Sequence, residues 1–100
     1  MVLYNVTIKV ELGIVEAWVE WMKQIHMPDL MATGLFIDCK LYQIMDLDES
    51  EGVTFSAQYF CKNLDDYNNY ISAFAVLMRE KAFQKFGSKF VAFRTVMEQV

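Results

Sequence analysis

Between residues 2 and 10 apolar and polar positions alternate: Val2, Tyr4, Val6, Ile8 and Val10 take one side, Leu3, Asn5, Thr7 and Lys9 the other. A period of two marks a strand with one buried face. The period then changes. Ile14, Val15, Trp18, Trp21, Met22 and Ile25 share one arc of a 3.6-residue helix, with Glu16, Glu20, Lys23 and Gln24 largely outside it, so the spacing predicts a helix over 14–25. Pro28 has no N–H, and its ring would meet the carbonyl of Gln24, so the helix is expected to kink or stop near His26 and Met27. A further turn that starts on Pro28 would close at Gly34.

Alternation resumes over 35–45, where Leu35, Ile37, Cys39 and Leu41 oppose Asp38, Lys40 and Tyr42. It continues over 53–61, where Val53, Phe55, Ala57, Tyr59 and Cys61 share a face. The acidic stretch 46–52, closed by Gly52, joins the two as an antiparallel hairpin. A register that sets Leu41 opposite Tyr59 would also set Cys39 opposite Cys61. Asn63 is the expected N-cap of a second helix, with Asp65 and Asp66 in its first turn. Leu64, Tyr67, Ile71, Phe74 and Met78 follow at helical spacing, and Arg79, Lys81 and Lys85 precede the stop at Gly87. Residues 90–97 carry bulky or β-branched side chains on both sides, the pattern of a strand covered on both faces.

The order strand, helix, strand, strand, helix, strand, with two right-handed crossovers, is the split βαβ arrangement of an α+β, ferredoxin-like βαββαβ fold. It predicts a four-stranded antiparallel sheet with two helices on one face. The helices cover the apolar sides of the first three strands. The other face is left with Leu3, Phe36, Tyr42 and Phe60 among Asn5, Thr7, Lys9, Asp38, Lys40, Ser56 and Gln58. A bare face of that composition predicts a homodimer in which two open sheet faces meet across a two-fold axis.

Composition supports that picture. One hundred residues fit a single domain over 1–100, and 55% apolar content with eight Phe, five Tyr and two Trp exceeds what one small sheet needs. No run approaches the ~18 uninterrupted apolar residues of a membrane span, and the first residues alternate instead of forming a leader, so a cytoplasmic protein is expected. Nine basic against thirteen acidic residues give a net charge of −4 with no basic cluster, which excludes nucleic acid and an acidic membrane surface as partners. Cys39 and Cys61 are too few for a disulfide scaffold and lie outside C-x-x-C spacing, so free thiols are expected.

The segments WMKQIHMPDLMATGLF, QYF with a Tyr beyond it, and GSKFVAFRTVMEQV resemble a small uncharacterised bacterial family classed only as a domain of unknown function. The likeness covers nearly the whole chain. More broadly the layout is similar to the dimeric α+β barrel superfamily, in which two sheets meet face to face with the helices outside. That superfamily includes small monooxygenases, haem-degrading enzymes, isomerases and members with no known activity. Its haem-degrading members carry an Asn on the first strand, where Asn5 stands, but need an axial His on the second helix. The second helix here has none. No cofactor is expected.

Two residues break their surroundings. His26, the only histidine, lies at the flank of the first helix's apolar arc, about 80° from Trp18 at 100° per residue. It either points into a cleft walled by Tyr4, Tyr59 and Trp21, as a ligand contact or proton carrier, or caps carbonyls freed by Pro28. With no second His at i+4 and no paired carboxylate nearby, no metal is expected. Arg94 interrupts FVAFRTVM, and a guanidinium there needs a partner, with Asp38 or Glu98 as candidates, or an anionic ligand. Asn5, Gln58, Lys9, Lys40 and Tyr42 would meet between two subunits.

The expected protein is therefore a small dimer that binds a compact hydrophobic or aromatic molecule through His26, Trp21, Tyr4, Tyr59 and Arg94, or one with a structural role. The alternative is a cofactor-independent enzyme, isomerase- or monooxygenase-like, with His26 as its acid or base.

Overall fold

The alternating residues at the start of the chain form β1, Val2–Val10, which runs antiparallel between β3, Val53–Cys61, and β4, Phe90–Glu98. β2, Asp38–Gln43, pairs antiparallel with the outer edge of β3, giving the sheet order β2-β3-β1-β4. The computed structural model describes residues 1–100. β1 and β2 are thus parallel with β3 inserted between them, and β3 and β4 are parallel with β1 between them. This is the split βαβ pairing twice over, and the ferredoxin-like fold follows.

The first crossover enters through a 3₁₀ turn at Leu12–Ile14 and α1, Val15–Trp21, then passes through a π-helical turn, Met22–His26, into α2, Met27–Met31. Gly34 follows with φ 78°, its N–H donating to Met31 O at 3.1 Å, so the added turn closes where the left-handed residue allows it. The second crossover is α3, Leu64–Ala73, and α4, Ala75–Phe86. Asn63 caps α3 as expected, its Oδ1 accepting from the Asp66 N–H at 2.9 Å.

Both crossovers lie on one face. There Val2, Tyr4, Ile8 and Val10 of β1 and Phe55, Ala57, Tyr59 and Cys61 of β3 are buried against Trp18, Trp21, Met22, Met27, Leu30, Tyr70, Ala75, Met78 and Phe86 from the helices. Every buried residue is apolar or aromatic, so burial of hydrocarbon, at about 1.5–3 kcal/mol per large side chain, is what holds the layers together. Gly52 ends the hairpin loop against β1, where a Cβ would sit 2.6 Å from Val10 O; the close approach requires glycine. No helix is long and apolar enough to cross a membrane.

Several local expectations are corrected. The strand expected over 35–45 is shorter. Leu35 to Ile37 lie outside it, and Phe36, expected on the open face, turns into the core against Tyr59 at 5.4 Å and Tyr70 at 5.0 Å between ring centroids. The hairpin register is two residues from the one considered: Cys39 sits opposite Tyr59 and Cys61 opposite Val2, and both thiols are free. The second helix bends at Phe74, φ −127°, although hydrogen bonds from Phe74 to Tyr70 O and from Met78 to Phe74 O run across the bend. No Gly or Pro marks the place. β4 is an edge strand, and within one chain only its helix-facing side is covered: Val91 and Phe93, on the other side, are each 66% exposed.

Candidate functional site

The helix does not stop at His26. It widens. Met27 donates its N–H to Met22 O, a five-residue step, and Trp21, Met22, His26 and Met27 keep helical backbone angles throughout. The cause is a phase slip in the apolar pattern: Met22 and Met27 are both buried although five residues apart, a separation that an α-helix would turn through about 140°. The extra residue in the turn absorbs that rotation. It also leaves Ile25, expected in the apolar arc, 50% exposed. Pro28 then falls in the first turn of α2, where a missing N–H costs little.

The same step brings Trp21 and His26 ring over ring, with centroids 4.6 Å apart and planes at 21°. Single π turns of this kind recur at functional sites because they re-aim side chains that a regular helix would separate. Trp21 is held from behind by Phe86 at the end of α4, edge-on at 5.5 Å. The imidazole is thereby pressed toward the sheet, and its Nδ1 is buried without a hydrogen-bond partner. Desolvation lowers its pKa from 6.5 to about 4; Asp29 pulls it upward, and Lys81 and Arg94 push it further down. At neutral pH His26 is an uncharged ring.

Between this turn, α4 and the sheet lies a cavity of about 50 Å³. Tyr4 of β1, Trp21 of α1, His26 of the π turn, Tyr59 of β3 and Arg94 of β4 all line it, together with Ala57, Tyr70, Met78 and Ala82. Arg94 belongs to the helix-facing side of β4, opposite Val6 in the register. Neither Asp38 nor Glu98 meets it. Its Nε donates to Tyr4 Oη at 3.2 Å, and no carboxylate lies within ion-pair distance. Two lining residues lay outside the sequence reading. Tyr70, whose pKa is held well above the ordinary tyrosine range by burial, stands beside Ile71 but is not among the apolar positions that the helical spacing picks out. Arg79 looked like a dipole partner near that helix's end, and only the packing of α4 onto the sheet carries it to the cavity.

The polar residues expected between subunits lie on the opposite, open face. Asn5 and Gln58 are register partners, and Asn5 donates to Thr7 Oγ1 at 3.0 Å while accepting from Ser56 Oγ at 2.6 Å. Lys40 lies 5.7 Å from the Phe60 ring. This row satisfies itself and shares no residue with the cavity. The thiols offer no nucleophile: burial raises the pKa of Cys39 and pushes Cys61 up to about 11. No group of three His, Cys, Asp or Glu side chains is placed to hold a metal ion.

Solved structures share this fold at low sequence identity. A dimeric ferredoxin-like protein from an uncultured marine organism superposes with a TM-score of 0.74 at 8% identity, over 99% of this chain and 97% of its own. An ethyl tert-butyl ether d family protein from Bacillus halodurans gives 0.67 at 14%, over the whole of both chains. The hydroxynitrile lyase of Passiflora edulis gives 0.58 at 11%, over 99% and 94%. At such identities the likeness is one of fold, and chemistry has to be argued from the site. No curated protein matches the sequence. A family model does match it, along residues 1–100, and the chain belongs to that family, the domain of unknown function DUF4286.

Proposed function

We propose that the protein binds a compact, largely apolar molecule in the cavity beside His26. The supporting observation is the buried, unpartnered Nδ1 of a neutral imidazole at the wall of a cavity lined mostly by aromatic and aliphatic side chains. An unsatisfied buried polar atom costs about 1–3 kcal/mol, so the fold holds a polar contact in reserve. The volume sets the ligand's size. About 50 Å³ compares with roughly 10–15 Å³ for one water and about 150 Å³ for a cavity that takes benzene, so a few heavy atoms fit and a whole aromatic ring does not. A pKa of about 4 also makes His26 a weak base near neutrality, which favours binding over proton abstraction as its role.

Titration with isobutanol, followed by two-dimensional NMR, tests this. Shifts are expected to converge on Trp21, His26 and Tyr59, and Ala82→Leu, which fills the cavity from α4, is expected to abolish them while the fold persists. Shifts scattered over the surface, or unchanged in Ala82→Leu, would sink the reading.

The second part of the proposal is that the protein works as a pair of chains. Val91, Phe93 and Met97 of β4 and Tyr42 of β2 stand exposed on the open sheet face, around the hydrogen-bonded row of Asn5, Ser56 and Thr7. A second copy of the same face would cover them, and the structural neighbour from the marine organism is itself described as dimeric. Sedimentation equilibrium is expected to give twice the chain mass of 11.7 kDa, and Phe93→Glu to return it to one. A monomer in the unsubstituted protein rules the pairing out.

A further inference from the structure

We propose that the ligand of this cavity is a short-chain carboxylic acid, its carboxylate held by Arg94 and Arg79 and its hydrocarbon part enclosed by Tyr4, Tyr59, Tyr70 and Trp21. The inference rests on the cavity being a binding site and adds the charge of what enters.

Charge bookkeeping is the first support. The chain has thirteen acidic residues against nine basic, yet no Asp or Glu lines the cavity, while two of its arginines do. Neither arginine is paired; the one ion pair in the molecule is Lys81 with Asp29, 3.7 Å apart on the surface between α4 and α2. In an acidic protein, two guanidiniums without ion-pair partners beside one apolar hollow give its mouth a local positive field, which Asp29, felt at His26 but paired to Lys81, offsets only in part.

Geometry is the second. Arg94 is anchored through Nε by Tyr4 Oη, which orients the guanidinium and leaves its two terminal nitrogens free as a planar pair of donors. A carboxylate accepts from such a pair with both oxygens. Arg79 and Arg94 both keep solvent access, so neither charge has been driven into the interior, and an arriving anion meets them first. Behind them the lining is hydrophobic at fourteen of seventeen residues, which disfavours phosphate, whose hydration would be lost without replacement donors. His26 adds no competing charge, and its free Nδ1 is left for a polar atom of the ligand.

Three probes of one shape separate the possibilities: isobutyrate, isobutyramide and isobutanol, each titrated by NMR at low and high salt. Isobutyrate is expected to bind about tenfold tighter than isobutyramide, the usual margin of a charge-assisted over a neutral hydrogen bond, and to lose that margin in high salt. Arg94→Gln and Arg79→Gln are each expected to weaken isobutyrate more than isobutyramide and so to narrow the margin. Arg79 is exposed on α4, so its variant serves even if substitution in β4 perturbs the sheet. If isobutanol and isobutyramide bind as well as isobutyrate, the charge assignment is overturned and the cavity remains a binding site. Binding of none of the three overturns both.

Discussion

Trp21→Ala is expected to lower the unfolding free energy by about 3–5 kcal/mol, the usual cost of truncating a buried tryptophan, and to raise the pKa of His26 from about 4 back toward 6.5. Two consequences follow from one side chain because Trp21 has two neighbours. It is 8% exposed and touches Phe86 edge-on, tying the first crossover to the end of α4, so its loss opens a void between two helices. It also covers the imidazole face at 4.6 Å, so its loss admits water to the ring whose desolvation is the main cause of the lowered pKa. Urea unfolding reads the first effect. The second is read from the proton resonances of His26, unambiguous because the chain has one histidine. A variant that loses stability while its histidine still titrates near 4 would show that Trp21 does not keep the ring dry.

Acidification is expected to destabilise the protein over a window set by the same group. The unfolded chain takes up a proton on His26 near pH 6.5, whereas the folded protein holds the ring neutral down to about 4. Below 6.5 the unfolded state therefore binds more protons, and folding weakens by up to about 1.4 kcal/mol per pH unit until the folded pKa is reached. The whole effect is at most about 3 kcal/mol, a large share of the 5–15 kcal/mol by which domains are stable. Above pH 6.5 this group contributes no pH dependence. Carboxylates titrate at the lower end of the window, so the quantity to measure is the difference between wild type and His26→Gln. The Gln variant is expected to be flatter between pH 6.5 and 4.5. Two parallel curves would show that the imidazole is not buried in the neutral form. Asp29, Lys81 and Arg94 are the charged neighbours that tune the value, and Asp29 alone opposes the drop.

The two predictions share an origin in the π turn, and that turn shows how far a sequence pattern reaches. The alternation of β1 and β3, the Asn63 cap and the closing Gly34 are local signals, decided by side-chain period and backbone freedom within a few residues, and they were legible. So was the sheet order, because two crossovers of one hand leave few ways to pair four strands. The five-residue step from Met22 to Met27 was present in the sequence as an apolar pattern out of phase, but Pro28 offered a simpler reading, a helix end. Which reading holds depends on whether both flanking turns find the same core to bury into.

The cavity residues divide in the same way. His26, Trp21, Tyr4, Tyr59 and Arg94 each stood out as an odd or large residue in its own segment, but their meeting at one cavity depends on how separate elements pack. The face of β4 that carries Arg94 followed from pairing with β1, where Arg94 lies opposite Val6, and a strand read alone does not contain that register. Arg79 and Tyr70 came to the cavity through the docking of α3 and α4 on the sheet, a contact between residues sixty or more positions from β1. Sequence by itself determined the order of strands and helical crossovers and with it the fold, since hydrophobic period and turn chemistry act at short range. The π turn, the bend at Phe74 and the length of β2 were left to packing. The tertiary structure alone decided the neutral histidine, the unpaired arginines and the hollow between them, because desolvation and charge depend on neighbours that the chain brings together only when folded.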